Sequence, residues 1–267
     1  MTDLNKAIAF IENRGNQVEL ARLHYLLTNE RPSQEVISEL FNGQRLDGGW
    51  PPYWAEDYTS LDASCFRLAQ ADQLGISPSE TAVRATVHFL AQRQSSDGSW
   101  EEDKRIAHLA PVWALPGDLA AKLYITANCG LWLSLLGNPD DKGLKAANYL
   151  RSQFNQAGSL PSFLHTHWLA GGLLYKMNYR DESGKAFDYL SRRADDLAVS
   201  NLSWLMITLV SAGVPANLPL LKKAALLLDR GQQDDGRWPS EDGPSQDVHS
   251  TLEALRALWL YGQSSNQ

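Results

Sequence analysis

Gln44-Arg-Leu-Asp47-Gly48-Gly49-Trp50, Gln94-Ser-Ser-Asp97-Gly98-Ser99-Trp100 and Gln232-Gln-Asp-Asp235-Gly236-Arg237-Trp238 are three copies of one phrase, Gln-x-x-Asp-Gly-x-Trp, in a chain of 267 residues. Trp is a rare residue, so a four-point match repeated in this way reports architecture: each copy closes the same kind of supersecondary unit. The local chemistry is that of a scaffold. Asp-Gly supplies a tight turn in which Gly takes positive φ after a helix. The Gln amide can serve backbone groups left open at helix ends. The Trp ring can cover that amide and clamp neighbouring units. Trp50, Trp100 and Trp238 are therefore read as structural rather than as substrate contacts.

Outward from these turns, apolar residues recur at helical spacing almost everywhere, and strand-like alternation is scarce. Two kinds of helix alternate. Residues 81–92 carry Val83, Val87 and Leu90 on one stripe and polar residues opposite, as on a surface-covering helix. Residues 119–136 and 252–261 are apolar nearly all round, as in helices buried on both sides. The alternation divides the chain into six pairs, expected at 4–12 with 18–27, 34–41 with 60–74, 79–92 with 119–136, 143–153 with 165–177, 184–193 with 201–212, and 217–229 with 248–261. The fourth pair is joined by a decayed copy of the phrase, Gly158-Ser159-Leu160, and the fifth by almost none. An open superhelix needs polar caps at both ends. The first helix is only mildly polar and the last strongly apolar, so the expectation is an all-α, closed (α/α)6 toroid of six hairpins forming one domain over residues 1–267. The longest irregular stretch, between Trp100 and Leu119, holds Pro111, Trp113, Pro116 and Gly117 and reads as a lid or a covering flap.

Composition narrows the function. Apolar residues make up 43% of the chain, with nine Trp, enough for a sizeable interior. Each buried Trp removes about 150–250 Å² from water, roughly 4–6 kcal/mol as an upper bound. A net charge of −7 leaves no basic stripe for nucleic acid. No uncharged apolar run of about 18 residues exists, so no transmembrane segment is expected. The first residues lack the basic-then-apolar pattern of a signal sequence. Cys65 and Cys129 sit in apolar helical segments and make no metal or redox motif, which fits free buried thiols and a cytoplasmic setting.

The repeated phrase resembles the QW motifs of squalene–hopene and oxidosqualene cyclases, with related repeats in class II diterpene cyclases and in the β-subunits of protein prenyltransferases. The resemblance covers essentially the whole chain. It implies an isoprenoid-related enzyme holding an apolar polyprenyl substrate in a central cavity, with reactive groups near the N-terminal ends of the inner helices. Those ends carry partial positive charge. The polar and aromatic residues there are Tyr58, Asp62 and Cys65; Tyr124 and Asn128; His165, His167 and Trp168; Trp204; and Asp247 with His249. Trp113 joins them from the long loop.

The standard catalytic signatures of that superfamily are missing. There is no Asp-x-Asp-Asp acid motif and no Asp-Asp-x-x-Asp cluster for magnesium and diphosphate. In Asp247-Val-His249-Ser250-Thr251, Ser250 occupies the position of a prenyltransferase zinc-ligand His, so magnesium or zinc finds no matching motif and no cofactor is expected. A site assembled from His165, His167, His249 and an Asp is the one zinc alternative. Catalysis would need non-standard residues: Asp62 or Asp247 as the acid, with His249 beside it, and aromatic faces stabilising carbocations. The structural alternative for both acids is helix capping. A non-catalytic toroid that binds a hydrophobic small molecule or a partner protein is the other functional reading.

Overall fold

A computed structural model describes residues 2–137 and 141–265. Among them are twelve α-helices and no strand, only an isolated bridge between Trp50 and Ser60. The helices are α1 (Leu4–Arg14), α2 (Gln17–Thr28), α3 (Gln34–Leu40), α4 (Leu61–Gln73), α5 (Thr81–Gln92), α6 (Leu119–Leu135), α7 (Lys142–Arg151), α8 (Leu164–Lys176), α9 (Arg180–Arg193), α10 (Val199–Ser211), α11 (Pro219–Gly231) and α12 (Asp247–Ser265). None is long and apolar enough to cross a membrane.

Local sequence explains several starts. Asn16 and Glu19 form a reciprocal capping box on α2, and Ser33, Ser60 and Asp118 cap α3, α4 and α6 through their side-chain oxygens. The amphipathic α5 buries Val83, Thr86, Phe89 and Leu90. By contrast, α6, α8 and α10 are buried on most of their circumference and form the centre of the main apolar core.

The even-numbered helices touch in series, α2 to α4, α4 to α6, α6 to α8, α8 to α10 and α10 to α12, and α12 also touches α2. Most odd-numbered helices wedge between two of them: α1 against α12 and α2, α3 against α2 and α4, α5 against α4 and α6, α7 against α6 and α8, and α11 against α10 and α12. Helix α9 packs on α8 and reaches α11.

The repeated turns stitch this arrangement. In each copy Gly has φ near +91°, at Gly48, Gly98 and Gly236. The preceding Asp accepts the N–H two residues on, as Asp97 does from Ser99 at 3.0 Å. The Gln amide donates to the Gly carbonyl of its own turn and to the first turn of the next odd-numbered helix or the residue before it: Gln44 to Ala82 O (2.8 Å), Gln94 to Lys142 O (2.9 Å), Gln232 to Asp3 O (2.9 Å). The last of these ties α11 to the start of α1, across the full length of the chain. The expectation for the amide is thereby corrected, because it bonds forward to the following helix. It is the indole Nε1 of Trp100 and Trp238 that serves a last-turn carbonyl, of Leu90 (2.8 Å) and Leu228 (2.7 Å).

Two further expectations are adjusted. Helix α2 is not buried all round: only Arg22 and Leu23 are fully covered, while Leu20 and Leu27 are exposed. Helix α9 begins before Gly184, at Arg180.

Candidate functional site

One hydrogen bond recurs at the repeated turns and sets the register of the even-numbered helices. The backbone N–H of Trp50 donates to Ser64 Oγ (3.1 Å), that of Trp100 to Thr126 Oγ1 (3.0 Å), that of Leu160 to His167 Nε2 (2.9 Å) and that of Trp238 to Thr251 Oγ1 (3.0 Å). A residue two positions earlier on an α-helix lies about 200° around the axis, on the side away from the turn. Those residues are Asp62, Tyr124, His165 and His249. The repeat thus aims one chemically capable side chain per helix away from the outer layer.

Three of these four converge with their neighbours. Asp62, in the first turn of α4, does not cap its helix; Ser60 does. Its Oδ1 accepts from Tyr124 Oη at 2.6 Å and from Asn128 Nδ2 at 3.5 Å, and Trp113 adds a side-chain hydrogen bond. Burial raises the Asp62 carboxyl above its ordinary range, and those three donors only partly offset it. The Tyr124 hydroxyl is pushed well up, by burial first and then by Asp62, and so acts as a donor.

Beyond Tyr124 runs an aromatic wall. Its ring meets His165 edge-on at 4.7 Å and Phe163 at 6.5 Å; His165 stacks between Phe163 (5.3 Å) and Trp204 (5.5 Å), and Trp168 stands edge-on to Trp204 at 5.4 Å. Burial lowers the His165 imidazole to about 4, with His167 adding a smaller push, so it is neutral near pH 7. Asp62, His165, Phe163 and Trp204 keep partial solvent access while packed among these groups.

The remaining expected site residues fall elsewhere. His167 Nε2 accepts a backbone N–H, so Nδ1 must carry the hydrogen that goes to Phe163 O at 2.9 Å; the ring stacks on Tyr189 at 4.6 Å and belongs to the scaffold. It fills the place that Thr126 and Thr251 take in other copies. Asp247 is buried with Oδ1 on the backbone N–H of Ser240 (2.8 Å) and Oδ2 3.4 Å from Arg237 Nε, so its carboxylate anchors the preceding turn instead of taking the expected helix-capping role. His249 lies 3.3 Å from buried Arg22, which pairs with Glu253 at the contact of α2 with α12. Tyr58 lies under Arg105 in a shallow surface pocket with Asp57 and Asp103. Cys65 and Cys129 are buried free thiols with sulfurs 3.8 Å apart. His165, His167 and His249 sit in three different surroundings, and among the described residues no three His, Cys, Asp or Glu side chains come together as metal ligands.

Glu102 and Phe163 were not anticipated. Glu102 is 4% exposed, and it accepts from Ser60 Oγ (2.6 Å), Leu61 N (3.1 Å) and Asp62 N (3.1 Å). Burial lifts its carboxyl to about 7 against the pull of those donors. Its one sequence signal is an acid two residues after Trp100, where the other intact copies have Pro52 and Ser240.

No family model matches the chain. It is 22% identical over 185 residues to squalene–hopene cyclase of Zymomonas mobilis, a match spanning 69% of this chain and 23% of that relative. Among solved structures it is similar to the type II terpene cyclase MstE from Scytonema. With MstE in complex with the substrate geranylgeranyl dihydroxybenzoate the TM-score is 0.60 at 15% identity, covering 98% of this chain and 97% of that one. A protein from Actinoplanes gives 0.64 at 16% identity over 97% and 98%. These structural likenesses are likenesses of fold.

Proposed function

We propose that the chain is a closed (α/α)6 toroid of one domain whose lumen holds a polyprenyl substrate, and that it cyclises that substrate by protonating it from Asp62. The contacts of α12 with α2 and of α11 with the start of α1 support closure. The likeness of the repeated phrase to QW motifs and the fold shared with a type II terpene cyclase support the chemistry. One observation carries it: a partly buried carboxyl with an elevated proton affinity, held on one oxygen by Tyr124 and Asn128, next to a wall of aromatic faces.

The step balances as follows. With Tyr124 and Asn128 bonded to Oδ1, the proton rides on Oδ2. The Oδ2–H bond breaks, and the proton forms a C–H bond with a terminal alkene, or an O–H bond with an epoxide. The positive centre is attacked by the next double bond, ring closure moves the charge along, and loss of a proton to solvent ends the sequence, so the product is an isomer of the substrate and Asp62 is reprotonated from solvent. Phe163 and Trp204, with neutral His165 between them, present π faces to the passing cation, while the buried Trp168 backs Trp204 from the core. Asp247, tied to Ser240 and Arg237, takes no part.

The test is incubation with squalene and with a geranylgeranylated dihydroxybenzoate, with and without magnesium or zinc, followed by extraction and mass spectrometry. A cyclised product of unchanged mass is expected, reduced about 100-fold or more in Asp62→Asn and kept in Asp247→Asn. Saturable binding without turnover under every metal condition would favour the second reading, a non-catalytic toroid for a hydrophobic ligand or partner, which the missing Asp-x-Asp-Asp motif supports.

A further inference from the structure

We infer that Glu102 is the positioning residue for Asp62: from the turn of the following repeat it grips the backbone of the α4 first turn, and the two carboxyls together carry one negative charge. The inference extends the proposed role of Asp62 and rests on it for its catalytic meaning.

The geometry is specific. Glu102 Oε1 takes both Ser60 Oγ (2.6 Å) and Asp62 N (3.1 Å), and Oε2 takes Leu61 N (3.1 Å). Two of the four N–H groups left open at the start of α4 are thus served by a residue 40 or 41 positions away. The Ser60 hydroxyl, which caps α4 by accepting Ala63 N at 3.1 Å, is oriented by the same carboxylate. A local capping box would leave this turn free of α6; Glu102 instead ties it to the segment that leads there. The Asp62 carboxyl is thereby set against Tyr124 and Asn128 on α6.

The electrostatics follow from burial without a counter-ion. Neither Asp62 nor Glu102 has an ion-pair partner among the described residues. The titratable groups facing the pair are Cys65 on α4 with Tyr124 and Cys129 on α6, all pushed up by burial and neutral near pH 7. Two adjacent anions in such surroundings repel, so one proton is retained between them. The Asp62 charge is itself among the groups that raise Glu102, so the two carboxyls titrate as a pair with the retained proton between them. When Asp62 gives its proton away, Glu102 at about 7 is the neighbour able to take one up and relieve the second charge.

A plain cap and a charge partner are separated by a reciprocal titration that needs no substrate. Carboxyl protonation is followed by pH-difference infrared spectroscopy on the full chain, as wild type, Glu102→Gln and Asp62→Asn. Neutralising either carboxyl should move its partner's titration down, the two shifts summing to about one to two pH units because the coupling is mutual. Titrations unchanged in both folded variants would overturn the inference. If Glu102→Gln does not fold, the Asp62→Asn arm decides alone, with an unshifted Glu102 as the refuting result. Where turnover is found, the alkaline limb of kcat in Glu102→Gln should fall to lower pH by the infrared shift; an unchanged limb refutes the positioning role while leaving Asp62 as the acid.

Discussion

Asp62 and Asp247 open similar helical segments, yet their surroundings make them different groups. Asp247 returns to a backbone N–H and an arginine, whereas Asp62, relieved of capping by Ser60 and Glu102, points to Tyr124. Burial also sets opposed titrations in this region. The His165 imidazole is lowered to about 4, so the unfolded chain binds the extra proton and His165 costs stability as pH falls from about 6.5. The Glu102 carboxyl is raised to about 7, so the native chain binds the extra proton and Glu102 adds stability as pH falls from 7 towards its unfolded value. Between pH 7 and 5 the two contributions nearly cancel. His165→Phe should therefore become more stable on acidification over that range, and Glu102→Gln less stable, each relative to wild type by on the order of 2 kcal/mol. Urea unfolding at both pH values measures this, and parallel profiles for all three proteins would contradict it.

At the scale of the element, the repeated turn is the unit that turns sequence into architecture. Its glycine lies against the next odd-numbered helix: a Cβ on Gly98 would stand 2.5 Å from Lys145 O at a φ of +91°. Gly98→Ala should cost roughly 2–4 kcal/mol, from positive φ and displaced backbone together. Gly184, inside α9 with open space around it, is the control: Gly184→Ala should stabilise by about 0.5–1 kcal/mol. Denaturant midpoints for the pair give the comparison, and equal effects would show that the turn is not a clamp. The decayed fourth copy shows how the unit survives substitution. Phe154 and Ala157 replace its Gln and Asp, and Asn155 Oδ1 accepts the N–H groups of Ala157 and Ser159 at 3.0 Å each.

For the molecule as a whole, the proposed closure rests on bonds between the two ends of the chain. Gln232 both donates to Asp3 O and accepts from Asp3 N at 2.7 Å, and Arg22 pairs with Glu253 where α2 meets α12. Gln232→Leu should lower stability by about 1–2 kcal/mol and speed amide exchange in α1 and α12 well before α6 or α8. Hydrogen exchange read by mass spectrometry locates the effect; uniform or absent change would mean that the end-to-end contacts bear no load.

Helix class, the alternation of one-sided and all-round apolar helices, and the turns between them were legible in the chain, because helical periodicity and a Trp-anchored turn are local signals. Asp62, Tyr124, His165, Trp168 and Trp204 were named from the chain because they lie near the starts of the even-numbered helices, whereas Phe163 was not. What only the tertiary structure decided was which of two look-alike acids stays free of backbone, that His167 stands in for a threonine in the scaffold, and that Glu102 belongs to α4 rather than to its own segment. The last of these depends on contacts between residues some 40 positions apart and the first on desolvation, and neither has a local signature in sequence.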